Sequence, residues 1–280
     1  MKLPQSTSLF SPAKLNLSLF VYSPLPNGYH PIFSVFQLIS LGDILDIDFT
    51  STPSFHLEVS GEAIDFESNI LTCIYRRFSD RIPFGISIFL TKRIPVGGGL
   101  GGGSANAAVF LKLLNETCLG LSEPELIKVA LEFGSDIPFF LIGGTAAVSG
   151  VGETLEPLPA PPFEGYILIV PPLSISTQEI YRATDEFGWV DACNPTLELS
   201  TKTRYLGPNT LQRAVWKLYP EYSEITAILT RHELPSPRLS GSGATLFIPY
   251  HSYERADRDY TKIRTLLPDC KMYLVINCDS

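Results

Sequence analysis

Six of the seven residues from Gly97 to Gly103 are glycine, a residue that weakens helix and strand alike. Glycine has no Cβ, so its backbone N–H groups can approach an anion closely and its φ can be positive. Upstream, Gly85–Thr91 (Gly-Ile-Ser-Ile-Phe-Leu-Thr) has strand character. Downstream, Ser104–Cys118 is rich in Ala and Leu and reads as a helix. A strand, a glycine loop and a helix in that order make a phosphate cradle, because the helix start adds free N–H groups and a positive dipole end. Ser104 falls at that start, where its hydroxyl can cap the helix or ligate Mg²⁺. Glycines alone also suit a flexible loop; the flanking elements favour the cradle. No Gly-Lys-Ser/Thr ends the run, so it is not a Walker A loop. Gly97, Gly99 and Gly102 satisfy G-x-G-x-x-G, but Lys92–Val96 separates them from the strand, unlike a dinucleotide fingerprint.

The rest of the chain must supply a scaffold for that loop. With 280 residues and 45% apolar content, one large domain or two moderate ones can bury a full core. The formal net charge of −8 and the lack of a basic patch argue against nucleic acid as a partner. Five cysteines (Cys73, Cys118, Cys193, Cys270, Cys278) with no CxxC argue against a disulfide framework or zinc site and suit a reducing cytosol. No signal peptide and no apolar run of about 18 residues is present, so a cytoplasmic protein without a membrane span is expected.

Residues 9–22 alternate, with Ala13, Leu15, Leu17 and Leu19 on one face and Lys14, Asn16 and Ser18 on the other. Period two marks a strand, and a lysine on its polar face is ordinarily solvated. Pro24–Gly28 is a turn, followed by Tyr29, His30 and a strand over 32–40. Strands are expected over 43–50 and 54–60, paired with each other, and a helix over 69–78. Ser122-Glu123-Pro124-Glu125 is a capped helix start. Asp136 stands among apolar residues, and its ordinary reading is an N-cap. A strand and glycine turn cover 143–152. Four prolines in Pro157–Pro162 mark the domain boundary, giving domains over 1–156 and 163–280. Beyond it come a strand at 165–170, a helix at 177–187 and a polar surface loop at 191–205. Helices at 209–217 and 221–232, the loop 238–244, a strand at 245–249, a helix at 252–266 and a closing strand complete the chain. The irregular mixture of strands and helices indicates an α+β fold.

Taken together, Pro-Ala-Lys-Leu-Asn (12–16), Gly-Tyr-His (28–30), Pro-Val-Gly-Gly-Gly-Leu-Gly-Gly-Gly-Ser (95–104), Asp-Ile-Pro-Phe-Phe (136–140), Gly-Val-Gly-Glu (150–153) and Ser-Gly-Ser-Gly-Ala (240–244) resemble the GHMP small-molecule kinases. Within that family the set looks most like the members acting on a cytidine-diphosphate-linked methylerythritol in non-mevalonate isoprenoid synthesis. The resemblance runs from about Ser11 to the strand after Thr245. It implies a two-domain fold with the active site in the cleft between domains, ATP as phosphoryl donor with Mg²⁺, and transfer to the 2-hydroxyl of the methylerythritol. It implies Asp136 as general base and Lys14 as its catalytic partner. It places Asn16, Tyr29, His30, Phe36 and Tyr181 on the cytidine or erythritol. It assigns the ATP phosphates to Gly97, Gly98, Gly99, Leu100, Gly101, Gly102, Gly103 and Ser104, with Pro95 also in the ATP site and Ser104 also a Mg²⁺ candidate, and borders the adenosine with Asn69 and Lys92. Where the family often has Asn-Asp-Leu this chain has Asn209-Thr210-Leu211, so position 210 receives no role. The expected partner is a small molecule, not nucleic acid or membrane, and the expected state a monomer or homodimer. A GHMP kinase for mevalonate, homoserine or a sugar, a non-catalytic nucleotide sensor, and a Rossmann oxidoreductase stand as rival readings.

Overall fold

Lys14, Asn16 and Ser18 are not solvated. They lie on β1 (Thr7–Val21), and every residue from Ser11 to Tyr22 is buried, so both faces of the alternating strand are covered. The computed structural model describes residues 3–26, 28–61, 65–187 and 205–279. The loop expected at 191–205 thus lies, except for Tyr205, outside the described residues, as does Asn27 of the Pro24–Gly28 turn.

Contacts divide the chain into two compact units that are not consecutive stretches. The first comprises Met1–Ala13, Leu41–Val96 and Gly101–Gly143; the second comprises Lys14–Ser40, Gly97–Leu100 and Gly144–Ser280. β1 and the 19-residue β2 (Ile32–Thr50) each contribute to both. The two strands expected at 32–40 and 43–50 are therefore one, because Leu41, Gly42 and Asp43 continue the extended backbone as buried residues.

In the first unit, β4 (Gly85–Thr91) runs between two neighbours. It pairs antiparallel with residues 44–50 of β2 and parallel with β3 (Phe55–Ser60). The expected pairing of 43–50 with 54–60 is not formed. Ile86, Ile88 and Leu90 of β4 are buried while Phe89 between them is exposed, so one face of this central strand meets the core. Gly85 admits it: a Cβ there would overlap Thr50 at the end of β2 and Thr52 in the connection to β3. The described residues of this unit also form the α-helices α1 (Ile70–Phe78), α2 (Gly102–Leu114), α3 (Glu123–Phe133) and α4 (Ile137–Ile142), with α2 packed on α1, α3 and α4. α3 starts with the expected capping box, Ser122 and Glu125 bonding reciprocally.

In the second unit, residues 32–37 of β2 pair with β5 (Thr145–Gly150), which forms a hairpin with β6 (Thr154–Leu158). A separate antiparallel sheet has the order β10 (Lys271–Val275), β7 (Gly165–Val170), β9 (Leu246–Tyr250) and β8 (Arg238–Leu239). Every residue of β7 is buried. The helices α5 (Thr177–Asp185), α6 (Gln212–Leu218), α7 (Glu221–Arg231) and α8 (Tyr253–Leu266) share a core with this sheet through Ile167, Ile169, Ile180, Val215, Tyr222 and Ile263. Among the described residues no helix is long and apolar enough to cross a membrane.

Candidate active site

The glycine loop contributes to both units, and each part is held differently. Gly97, Gly99 and Gly101 all have positive φ (70°, 72° and 72°). In the second unit the Ser240–Ala244 loop grips its first half. Ala244 N–H donates to Gly97 O (3.2 Å), Thr245 N–H to Gly98 O (3.1 Å) and Ser240 Oγ to Gly99 O (3.2 Å). A Cβ on Gly99 would overlap the Ser240 carbonyl, so the two loops approach at glycine-only distance. Tyr222 supports the arrangement from α7, donating from its phenol to Ala244 O (2.7 Å). Burial pushes that phenol well above its ordinary pKa, which keeps it a donor. Asn209 Nδ2 donates to Leu239 O (3.0 Å) and Gly241 O (2.7 Å).

Lys14 and Asn16 lie against this half. Lys14 N–H donates to Leu100 O (2.9 Å), and Asn16 N–H to Ser240 Oγ (3.3 Å). The Lys14 ammonium donates to Asn16 Oδ1 (2.5 Å) and stands 4.5 Å from the Phe36 ring centroid. Asn16 Nδ2 donates to Ser34 Oγ (3.1 Å), and Ser34 Oγ to Ser18 O. Lys14 and Asn16 are each only 4% exposed. A buried ammonium held by an amide oxygen and an aromatic face is a fixed cation. Phe36 therefore serves Lys14 directly, in addition to the substrate role expected of it.

After the turn, the His30 ring meets Tyr181 of α5 edge-on, with centroids 5.2 Å apart. His30 Nδ1–H donates to Tyr22 O (2.8 Å); a carbonyl partner fixes that tautomer and makes Nε2 the acceptor nitrogen of the neutral ring. Tyr29 is 66% exposed, a large aromatic surface beside this pair. Thr210, left without a role in the sequence, is structural: its hydroxyl accepts from Val21 N–H and donates to Leu19 O (both 3.2 Å).

The first unit carries the second half of the loop and α2. The helix begins at Gly102 with Gly101 as N-cap, so Ser104 sits in the first turn and is not the cap. The positions of Gly97 and Gly103 face open space: a Cβ on either would meet nothing within 4 Å. Val96 is 57% exposed at the loop's edge, and Pro95 is partly buried. Asn69 is the N-cap of α1, its Oδ1 accepting from Leu71 N–H (2.9 Å). Lys92 turns inward: its ammonium pairs with the fully buried Asp43, which also accepts from the N–H groups of Arg93 (2.7 Å) and Ile94 (2.8 Å) and from Asn106 Nδ2 (3.1 Å). Sequence reading passed over Asp43 because its partners lie 49 to 63 positions away. Asp136 precedes α4 but makes no side-chain capping bond there, so its ordinary reading as a cap does not hold. Among the described residues no three His, Cys, Asp or Glu side chains cluster as metal ligands.

Comparison with known proteins fits this geometry. Residues 69–144 match the sequence model of the GHMP kinases N terminal domain. The chain is 34% identical over 269 residues to the 4-diphosphocytidyl-2-C-methyl-D-erythritol kinase of Shouchella clausii, covering 92% of this chain and 90% of that one. It is 35% identical to the enzyme of that name from Chromobacterium violaceum, covering 89% and 88%. The chain belongs to the 4-diphosphocytidyl-2-C-methyl-D-erythritol kinase family. A crystal structure of 4-(cytidine 5'-diphospho)-2C-methyl-D-erythritol kinase superposes on this kinase with a TM-score of 0.79 at 30% identity, covering 98% of this chain and 100% of that one. The homoserine kinase of Cytophaga hutchinsonii, at 19% identity and TM-score 0.70 over 99% and 96%, shares the fold.

Proposed function

We propose that this kinase transfers the γ-phosphoryl group of ATP to the 2-hydroxyl of 4-diphosphocytidyl-2-C-methyl-D-erythritol, yielding the 2-phosphate and ADP in non-mevalonate isoprenoid synthesis. Membership of the family over about nine-tenths of both chains carries the reading. The substrate hydroxyl oxygen forms the new bond to phosphorus, and the bond from the γ-phosphorus to its bridging oxygen breaks. ADP leaves with that electron pair, and the hydroxyl proton passes to the Asp136 carboxylate. The fixed cation at Lys14 stabilises negative charge on the reacting groups. The N–H groups of Gly97–Ser104 receive the phosphates; the open space at Gly97 and Gly103 supports that role. Asn69 and Lys92 border the adenosine, and Pro95 with Leu100 shapes the loop around ATP.

Asn16, Tyr29, His30, Phe36 and Tyr181 take the cytidyl substrate. The acceptor Nε2 of His30 matches the exocyclic amino group of cytosine, and the exposed face of Tyr29 suits a flat base. Ser104 would offer one hydroxyl to Mg²⁺, an ion that keeps several waters and takes oxygen ligands from the substrate phosphates. When bound, the ion neutralises charge on the phosphate oxygens. The setting we propose is the cytoplasm, as monomer or homodimer, with small molecules as the only partners. The unpaired cysteines in the first unit, Cys73 and Cys118, support a reducing compartment.

The test is ADP release with the full chain and the diphosphocytidyl substrate, with product mass recorded. An increase of one phosphoryl group, dependent on Mg²⁺ and abolished by chelator without loss of the melting transition, is expected. ADP release without a phosphorylated product would replace the kinase with an ATPase.

A further inference from the structure

Asp43 accepts four hydrogen bonds from residues at the two ends of the glycine loop, and the reaction above gives it no role. It is fully buried in β2. Oδ1 accepts from the backbone N–H groups of Arg93 and Ile94, and Oδ2 from the Lys92 ammonium and Asn106 Nδ2. Four donors fill the acceptor sites of an ionised carboxylate. Their places in the chain matter more than their number. Lys92–Ile94 is the stretch entering the glycine loop, and Asn106 is in α2, just beyond its exit. One side chain therefore ties both ends of the loop to a single strand.

The packing shows how closely the loop's exit depends on it. A Cβ on Gly102 would come within 3.3 Å of the Lys92 ammonium and 3.0 Å of Ile94 Cγ2, so the ion pair lies against the first turn of α2. Asn106 is 3% exposed, and its Oδ1 has no hydrogen-bond partner. Among its side-chain bonds, the one to Asp43 is thus what orients its amide. Neither donor pair could be met by an apolar residue at position 43, because three amide N–H groups and an ammonium would lose their acceptor.

We propose that Asp43 is a positioning residue for ATP, clamping the entry and exit of the glycine loop at the separation its phosphate-facing N–H groups require. This rests on the loop being the ATP phosphate site. Asp43 and its four donors all belong to the first compact unit, which contains none of Asn16, Tyr29, His30, Phe36 or Tyr181. Loss of the clamp should therefore act on ATP and spare the cytidyl substrate. If Asp43 were only a buried ion-pair partner, its loss would lower stability without distinguishing the ligands.

The experiment uses the full chain with Asp43→Asn, which keeps the shape but removes the charge, and Asn106→Ala, which removes one of the four donors. Calorimetry gives the affinities for ATP and for the diphosphocytidyl substrate on one preparation, with melting temperature measured alongside. Asp43→Asn should weaken ATP roughly 10- to 100-fold, the scale of small misplacements in a reaction site, while the cytidyl substrate stays within about twofold, its contacts lying in the other unit. Asn106→Ala should show the same skew at smaller size, and it decides the matter if Asp43→Asn does not fold. Equal losses for both ligands, or unchanged ATP affinity in a folded variant, would overturn the proposal. A wild-type chain that binds no ATP would remove the ATP reading of the loop itself, an outcome separate from failure of the clamp.

Discussion

Asp136 stands at the N-cap position of a six-residue helix without making the capping bond. Asparagine at this position nearly keeps the shape of the side chain while removing the proton acceptor. Asp136→Asn should lower turnover about 10²–10⁴-fold, the worth of a general base, with the melting temperature nearly unchanged. A folded variant with near-normal turnover would remove Asp136 from the chemistry. Two glycines of the loop offer a sharper contrast. Gly99→Ala places a Cβ onto the Ser240 carbonyl and forces an L-residue into φ of 72°. The conformation alone costs about 1–2 kcal/mol, so melting temperature and ATP affinity should both fall. At Gly103, inside α2, a Cβ meets nothing, and Ala favours helix over Gly by about 1 kcal/mol. Gly103→Ala should therefore leave the free protein as stable as before or more so. Any loss of ATP affinity in that variant then reports a ligand occupying the open space.

At the scale of elements, α5 meets the segment after the Pro24–Gly28 turn, where the cytidyl site is proposed. Tyr181 presents its ring to His30, whose tautomer is set by Tyr22 O. Base stacking on an aromatic ring contributes roughly 1–3 kcal/mol. Tyr181→Ala should accordingly weaken the diphosphocytidyl substrate about tenfold or more and leave ATP affinity nearly unchanged. Tyr181 also packs against the core of the second unit, so calorimetry must be read beside the melting curve. Unchanged substrate affinity with a lowered melting temperature would make it a packing residue only.

The same fold is found at 19% identity in a homoserine kinase and at 13% in the mevalonate kinase of Methanococcus jannaschii, with TM-scores of 0.70 and 0.67. A fold retained at so little identity does not choose the acceptor; the residues on it do. Homoserine and mevalonate lack the cytidine that the Tyr29, His30 and Tyr181 group would bind. Neither should support ADP release above the rate seen without acceptor. Turnover of either at a rate comparable to the diphosphocytidyl substrate would shift the specificity elsewhere on the molecule.

Local signals in the sequence were sufficient for much of this. The glycine run, the Ser122 capping box, the period-two pattern of β1 and the short motifs were legible because each depends on neighbours within a few residues. They identified the family, and with it the residues proposed for the site. Other features were decided only by tertiary structure. The alternation of β1 could not tell that its polar face would be buried, since covering it takes Ser34, Phe36 and the Ser240 loop from distant parts of the chain. The pairing of β4 between β2 and β3 depended on competition for a central place that no single strand's pattern records. Asp43 read as the first residue of an ordinary strand. Its significance comes from four donors brought to it by folding, and a carboxylate's worth is set by its surroundings rather than by its place in the sequence.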